Sequence, residues 1–156
     1  MSFGTLFIVA TPIGNLKDIT YRAIETLSSV QLILCEDTRI SKRILDKYKI
    51  VNNMISFNEH NEMKKINYVY DFLKDDNDVA LISDSGTPCI SDPGYRLLSY
   101  LRENIDACKI VSIPGPNAAV SALSISGLPT DSFYFTGFLP KKKGRLKKIK
   151  SFLEID

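Results

Sequence analysis

Three short runs of continuous apolar residues constrain this chain most: Thr5–Ala10, Leu32–Cys35 and Val79–Ile82. Each gives way to a polar loop and then to a segment with helical spacing of apolar side chains. Runs with no polar alternation are expected where a strand is covered on both faces, as in parallel sheets. Lys109–Ile113 reads as a further strand and Met54–Phe57 as a shorter one. Roughly five strands alternating with helices predict an α/β fold, a mostly parallel five-stranded sheet with flanking helices. Phe133–Thr136 also alternates like a strand.

The helical segments carry their own signals. The first is expected to start near Asp18 as N-cap and to present Ala23, Ile24 and Leu27 on one side. Ile40, Ile44 and Leu45 mark the second, with Thr38 as a possible cap. Ile66, Val69, Tyr70 and Leu73 form a core stripe over Glu59–Leu73, and Tyr95, Leu98 and Leu101 open another helix. Ala118–Leu123 is a small-residue helix, with Gly127 as the residue just beyond its end. Lys147–Leu153 begins a last one.

The loops matter more for function. Ser83–Gly94, Ser-Asp-Ser-Gly-Thr-Pro-Cys-Ile-Ser-Asp-Pro-Gly, far exceeds the roughly 2–6 residues of an ordinary βα connection. It follows a strand at the end where open α/β sheets bind ligands. Side-chain oxygens come from Ser83, Asp84, Ser85 and Thr87, and Gly86 allows close backbone approach. A decorated, helix-capping connection is the other reading. Glu36-Asp37-Thr38-Arg39 stands in the same position after the second strand, either as ligand contacts or as acids favoured by a helix N-terminus. The loop Thr11–Asp18 has the placement of a nucleotide-binding turn but lacks both the Gly-x-Gly-x-x-Gly fingerprint and the Gly-Lys-Ser/Thr of a P-loop. Ordinary NAD and ATP sites are disfavoured.

With 156 residues, 44% hydrophobic and 24% charged, the chain has the composition of one globular domain, and no apolar run approaches the roughly 18 residues of a membrane span. The first residues have no basic n-region and run into a strand, unlike a signal peptide. Cys35, Cys89 and Cys108 lie far apart, and the single histidine, His60, reads as a surface residue. A cytoplasmic protein without metal or disulfides is the expectation. Seven of the 20 basic residues stand in 141–150 with no acid among them, so the rest of the chain, holding all 18 Asp and Glu, is acidic on balance. Such a segment suits a polyanion, or it is a solvated helix face or frayed end.

Six motifs occur in order: Thr11–Leu16, Glu36–Arg39, Ser83–Pro88, Ser91–Gly94, Ile113–Pro116 and Gly137–Pro140. Together they resemble the signatures of the ribosomal RNA small subunit methyltransferase I family, within the tetrapyrrole-methylase-like class of S-adenosylmethionine (SAM) enzymes. The resemblance spans essentially the whole chain. It implies 2′-O-methylation of a cytidine ribose in 16S rRNA of the small ribosomal subunit, a homodimer, and a SAM cleft between two α/β domains. Carried to this chain, it assigns Pro12, Ile13, Asp84, Gly86, Thr87, Pro114 and Gly115 to the cofactor. Glu36, Asp37 and Arg39 fall on the substrate side as catalytic candidates, with Asn15 a weaker one. No metal is implied.

The same resemblance divides the chain into residues 1–130, an N-terminal α/β domain contributing to the SAM cleft, and 131–156, the start of a second domain that is incomplete here. A truncated piece, a split gene or a short homologue completed by dimerisation would each account for that. Two other functions compete with the enzyme: a catalytically inert binding module that keeps a dimer face and the basic segment, and a methyltransferase of a small tetrapyrrole-type molecule.

Overall fold

The computed structural model describes residues 2–104 and 108–152. Five strands, β1 (Leu6–Val9), β2 (Leu32–Cys35), β3 (Met54–Ser56), β4 (Val79–Ile82) and β5 (Ile110–Ile113), form one sheet in the order β3-β2-β4-β1-β5. Every pairing is parallel, with Leu6 opposite both Val79 and Ile110, and Ile33 opposite both Met54 and Ala80. The helices are α1 (Tyr21–Ser29), α2 (Thr38–Lys47), α3 (Glu62–Lys74), α4 (Tyr95–Asn104), α5 (Ala118–Ser124) and α6 (Arg145–Phe152).

Strand periodicity sorts the apolar runs into two cores. Leu6, Ile8, Leu32, Leu34, Val79 and Leu81 face one side and pack on Ile66, Val69 and Leu73 of α3 and Leu97 and Leu101 of α4. Val9, Ile33, Cys35, Ala80 and Ile82 face the other, against Ala23 and Leu27 of α1 and Ile44 and Leu45 of α2. Burial on both faces is what the uninterrupted runs required. Each fully buried Leu or Ile contributes roughly 1.5–3 kcal/mol, so the central strands carry much of the stability.

Several boundaries differ from the sequence reading. Thr20, not Asp18, caps α1: its side chain accepts from the amide of Ala23, while Asp18 closes a single 3₁₀ turn over Leu16–Asp18 that Asn15 caps. Asp37 rather than Thr38 caps α2, its carboxylate accepting from the amide of Arg39 at 2.8 Å. α3 starts at Glu62 because Asn58 and Asn61 close a turn ahead of it. On α4 the buried stripe is Leu97 and Leu101, with Leu98 half-buried and Tyr95 exposed. α5 ends with Ile125 as C-cap, which leaves Gly127 one residue further out than expected.

Phe133–Thr136 is not a strand: alternation alone cannot make one without a neighbour to complete its hydrogen bonds, and Phe133, Tyr134 and Phe135 stand about half or more exposed. α6 covers the last predicted helix as far as Phe152, and Leu153 lies outside the described residues. Among the described residues no helix is long and apolar enough to cross a membrane.

Candidate functional site

The chain leaves β1 for β2 through α1 and leaves β4 for β5 through α4, and these two helices lie on opposite faces of the sheet, so the adjacent loops after β1 and β4 part to opposite sides. That divergence opens a crevice at the carboxyl ends of the strands. Three loops meet there. Thr11 and Gly86 exchange backbone hydrogen bonds of 2.8 and 3.1 Å, and the Thr11 hydroxyl donates to the carbonyl of Ser83 at 3.1 Å. Ser85 donates to the Pro12 carbonyl at 3.4 Å. Thr87 reaches the third loop, its hydroxyl donating to the Pro116 carbonyl at 3.1 Å and accepting from Asn117 Nδ2 at 3.4 Å. Asn117 also caps α5 through Val120 N at 3.1 Å.

These bonds frame a cleft of about 220 Å³. Ile13, Ile90, Ala118, Ala119, Phe135 and Phe138 give it apolar walls, while Ser85, Gly86, Thr87, Asp92 and Asn117 supply polar atoms. The backbone of the central loop is unusual, with Cys89 at φ +68° and Ser91 at φ +60°. Left-handed non-glycine residues in one loop store strain of the kind that gathers at functional sites.

Of the residues the sequence assigned to the cofactor, Ile13, Gly86 and Thr87 line the cleft. Pro12 lies buried beneath it, and Pro114 and Gly115 lie on the adjoining turn, exposed, with Gly115 packed close to Ala10. Asp84 points instead to the second loop, where its carboxylate accepts from the amide of Asp37 at 3.0 Å. Glu36 and Asp37 are half-buried beside it. Arg39 is 88% exposed and forks onto Asp37, with Nε 3.0 Å from Oδ1 and Nη2 2.5 Å from Oδ2.

Asp92, Asn117, Ala118, Ala119, Phe135 and Phe138 are cleft residues the sequence reading did not assign to the site. The Pro-Gly-Pro-Asn turn before a small-residue helix is the signal that marks Asn117 and its alanines. Phe135 was hidden by alternation that read as strand, whereas Phe138 stands in the Gly137–Pro140 motif, whose place in the cleft the sequence did not show.

The carboxylates divide by environment. Arg39 hydrogen bonding holds Asp37 down at about 2. Burial pushes Glu36 up, and the charges of Asp84 and Asp92 add to the rise. Burial likewise raises Asp84 and Asp92, opposed at Asp84 by the Asp37 amide and at Asp92 by the Ser83 hydroxyl. Acids raised in the folded state cost stability once ionised. That cost develops as pH climbs from the ordinary carboxylate value through the raised one, and it persists above. Asp92→Asn is therefore expected to stabilise the chain at pH 7. The gain should vanish below the unperturbed Asp value of 3.8, which urea midpoints measured across that range would check. A variant equally stabilised at both extremes would mean that ionisation of Asp92 is not the cause.

Residues 5–154 match the family model of the Tetrapyrrole (Corrin/Porphyrin) Methylases. The chain belongs to that family. Within it, the similarity is to proteins named ribosomal RNA small subunit methyltransferase I. That of Thermotoga maritima is 49% identical over 149 residues, covering 95% of this chain and 66% of the relative. That of Halalkalibacterium halodurans is 50% identical over 141 residues, covering 90% and 48%, and that of Escherichia coli O157:H7 is 46% identical over 151, covering 96% and 52%. The chain thus spans about half the length of most curated relatives it matches. Uroporphyrin-III-C-methyltransferase from Thermus thermophilus shares the fold, with a TM-score of 0.62 at 20% identity over 81% of this chain and 54% of that one.

Proposed function

We propose that this chain is part of a SAM-dependent methyltransferase acting on small-subunit ribosomal RNA, at the 2′-hydroxyl of a cytidine ribose in 16S rRNA. The observation that carries the reading is the cleft at the ends of β1, β4 and β5, framed by the loops that carry the motifs Thr11–Leu16, Ser83–Pro88 and Ile113–Pro116. Its apolar walls suit the flat adenine of SAM, and Thr87 and Asn117 offer polar atoms to the ring edge or ribose. Gly86 keeps that wall open, since a Cβ there would come 3.3 Å from Ile13 Cγ2. At about 220 Å³ the cleft is smaller than the roughly 300–1,000 Å³ of a complete ligand pocket, so the methionine part would extend over the open side. Residues 131–156 are then the start of the second domain that would close it.

When bound, SAM supplies an electrophilic methyl group. The chain's own part is to align the ribose hydroxyl and accept its proton. Glu36 suits that role better than Asp37, because burial raises its basicity while Arg39 neutralises its neighbour. Arg39 could exchange Asp37 for a backbone phosphate, which its fork also matches. The exposed cations of Lys141–Lys150 would add attraction that does not depend on sequence. A homodimer, and a cytoplasmic location beside ribosomes, complete the proposal. Exposed Ile125, Leu128, Phe133 and Tyr134 provide apolar surface for a second copy to cover.

Calorimetric titration with SAM tests the core of this reading. One saturable site per chain is the expected result, followed by transfer of labelled methyl groups from SAM to small ribosomal subunits. A folded chain that takes up no SAM would remove the cofactor site from these residues.

A further inference from the structure

The central loop is tied down unevenly. Its first half, Ser83–Thr87, is bonded to the loops after β1 and β5 through Thr11, Pro12, Pro116 and Asn117. Its second half holds three cleft residues, Ile90, Ser91 and Asp92, and the two left-handed residues, Cys89 and Ser91. Backbone of that kind persists only where its surroundings over-determine it. Yet among the described residues a single hydrogen bond joins residues 88–94 to anything beyond the loop and the helix it runs into. It is the bond from Gly94 N to Glu62 Oε1 of α3, at 3.1 Å.

Glu62 is only 2% exposed, and it is held from behind. Its amide donates to the Asn58 carbonyl at 2.8 Å, and Asn58 N donates to Asn61 Oδ1 at 2.9 Å. Asn61 Nδ2 reaches the Ser56 carbonyl at the end of β3, at 3.3 Å. The carboxylate is therefore referenced to the sheet itself. Packing gives no reason for an acid at this position, because burying a carboxylate costs more than burying a leucine of similar size. What a leucine lacks is an acceptor for Gly94. We infer that Glu62 is a positioning residue for the cofactor cleft, a role that rests on the methyltransferase reading. Outside the cleft lining itself, it pins the far end of the central loop and so sets where Ile90, Ser91 and Asp92 stand against a bound cofactor.

Substitutions that separate reach from charge test this. Glu62→Gln keeps an oxygen at the same reach and loses the charge. Glu62→Asp keeps the charge but, one methylene shorter, withdraws from Gly94. Calorimetric titration with SAM should leave Glu62→Gln within about threefold of the unaltered chain and weaken Glu62→Asp roughly tenfold. A role confined to stability, as an anion near the start of α4, reverses that order. The reversed order overturns the assignment, as does unchanged affinity in a folded Glu62→Asp chain. A folded Glu62→Gln chain that loses tenfold overturns it whatever becomes of Glu62→Asp. Val69→Ala, about two turns further along α3, removes core packing and should leave SAM affinity where it was. A tenfold loss there would trace the effect to general loosening of the helix and overturn the assignment too.

The loop can also be read without the cofactor. Burial pushes the Cys89 thiol up to about 12, so it should alkylate slowly while the loop is held. Its rate with iodoacetamide, followed by mass spectrometry, should rise several-fold in Glu62→Asp and stay near the unaltered rate in Glu62→Gln. If the unaltered chain takes up no SAM, the methyltransferase reading of the cleft fails, and the Cys89 rates alone decide the anchor. The same order upholds it, and equal rates in all three chains remove it.

Discussion

Gly94→Ala is expected to destabilise the chain by about 4 kcal/mol, combining roughly 1–3 for overpacking and 1–3 for a strained backbone. Gly94 adopts φ +119°, a region that side-chain-bearing residues rarely enter. A Cβ built on it would lie 2.4 Å from Leu81 Cδ2 and 2.8 Å from Cys89 Sγ. Leu81 is buried in the centre of the sheet, so it cannot swing aside, and Gly94 is tied by its amide to Glu62 and by its carbonyl to Leu98. A loss of that size removes a large share of the roughly 5–15 kcal/mol that holds a domain folded. Urea unfolding would report it as a lowered midpoint with an unchanged slope. A loss below about 1 kcal/mol would mean that the start of α4 can move off β4 at little cost, contrary to the packing described.

Gly94 also shows how far the sequence could be read. The pattern Ser-Asp-Pro-Gly before an amphipathic segment marked a loop ending in a helix, and the structure agrees. That this glycine sits against Leu81 could not be read, because it depends on where α4 lies on the sheet. The strands were legible because burial on both faces leaves a local mark, the uninterrupted apolar run. Their order was not. β1 lies between β4 and β5, and nothing local in Leu6–Val9 encodes those partners.

The caps divide in the same way. Asp18, Thr20, Asp37 and Thr38 all have side chains able to cap, and the choice fell to whichever the chain direction placed one residue ahead of the first turn. Phe133–Thr136 failed for the opposite reason. Its local alternation is strand-like, but strand structure needs a partner.

The candidate site was legible where a motif residue acts through its own loop. Ile13, Gly86 and Thr87 line the cleft. Asp84 is a motif residue with a different observed contact, the amide of Asp37, through which it ties two loops together. Glu62 left the weakest trace. In sequence it is one of several acids around a histidine at a polar helix start, and only the packing of α3 beside the central loop makes it a buried carboxylate.

Gly86→Val should lower the affinity for SAM at least tenfold, a loss of about 1.4 kcal/mol or more in binding. Gly86 has φ +88°, and its Cβ position is 3.3 Å from Ile13 Cγ2 and 3.7 Å from the Pro116 carbonyl. A β-branched side chain there strains the backbone and places two methyl groups between the first and third loops. Relief requires the loops to part, which stretches the mutual Thr11–Gly86 bonds and the Thr87–Pro116 bond that frame the cleft. Either response alters the wall proposed for the adenine, so binding falls whether the valine intrudes or the loops spread. Some stability is lost as well, so calorimetry should be run where circular dichroism shows the variant folded. A folded Gly86→Val chain that binds SAM as tightly as the unaltered one would place the cofactor elsewhere.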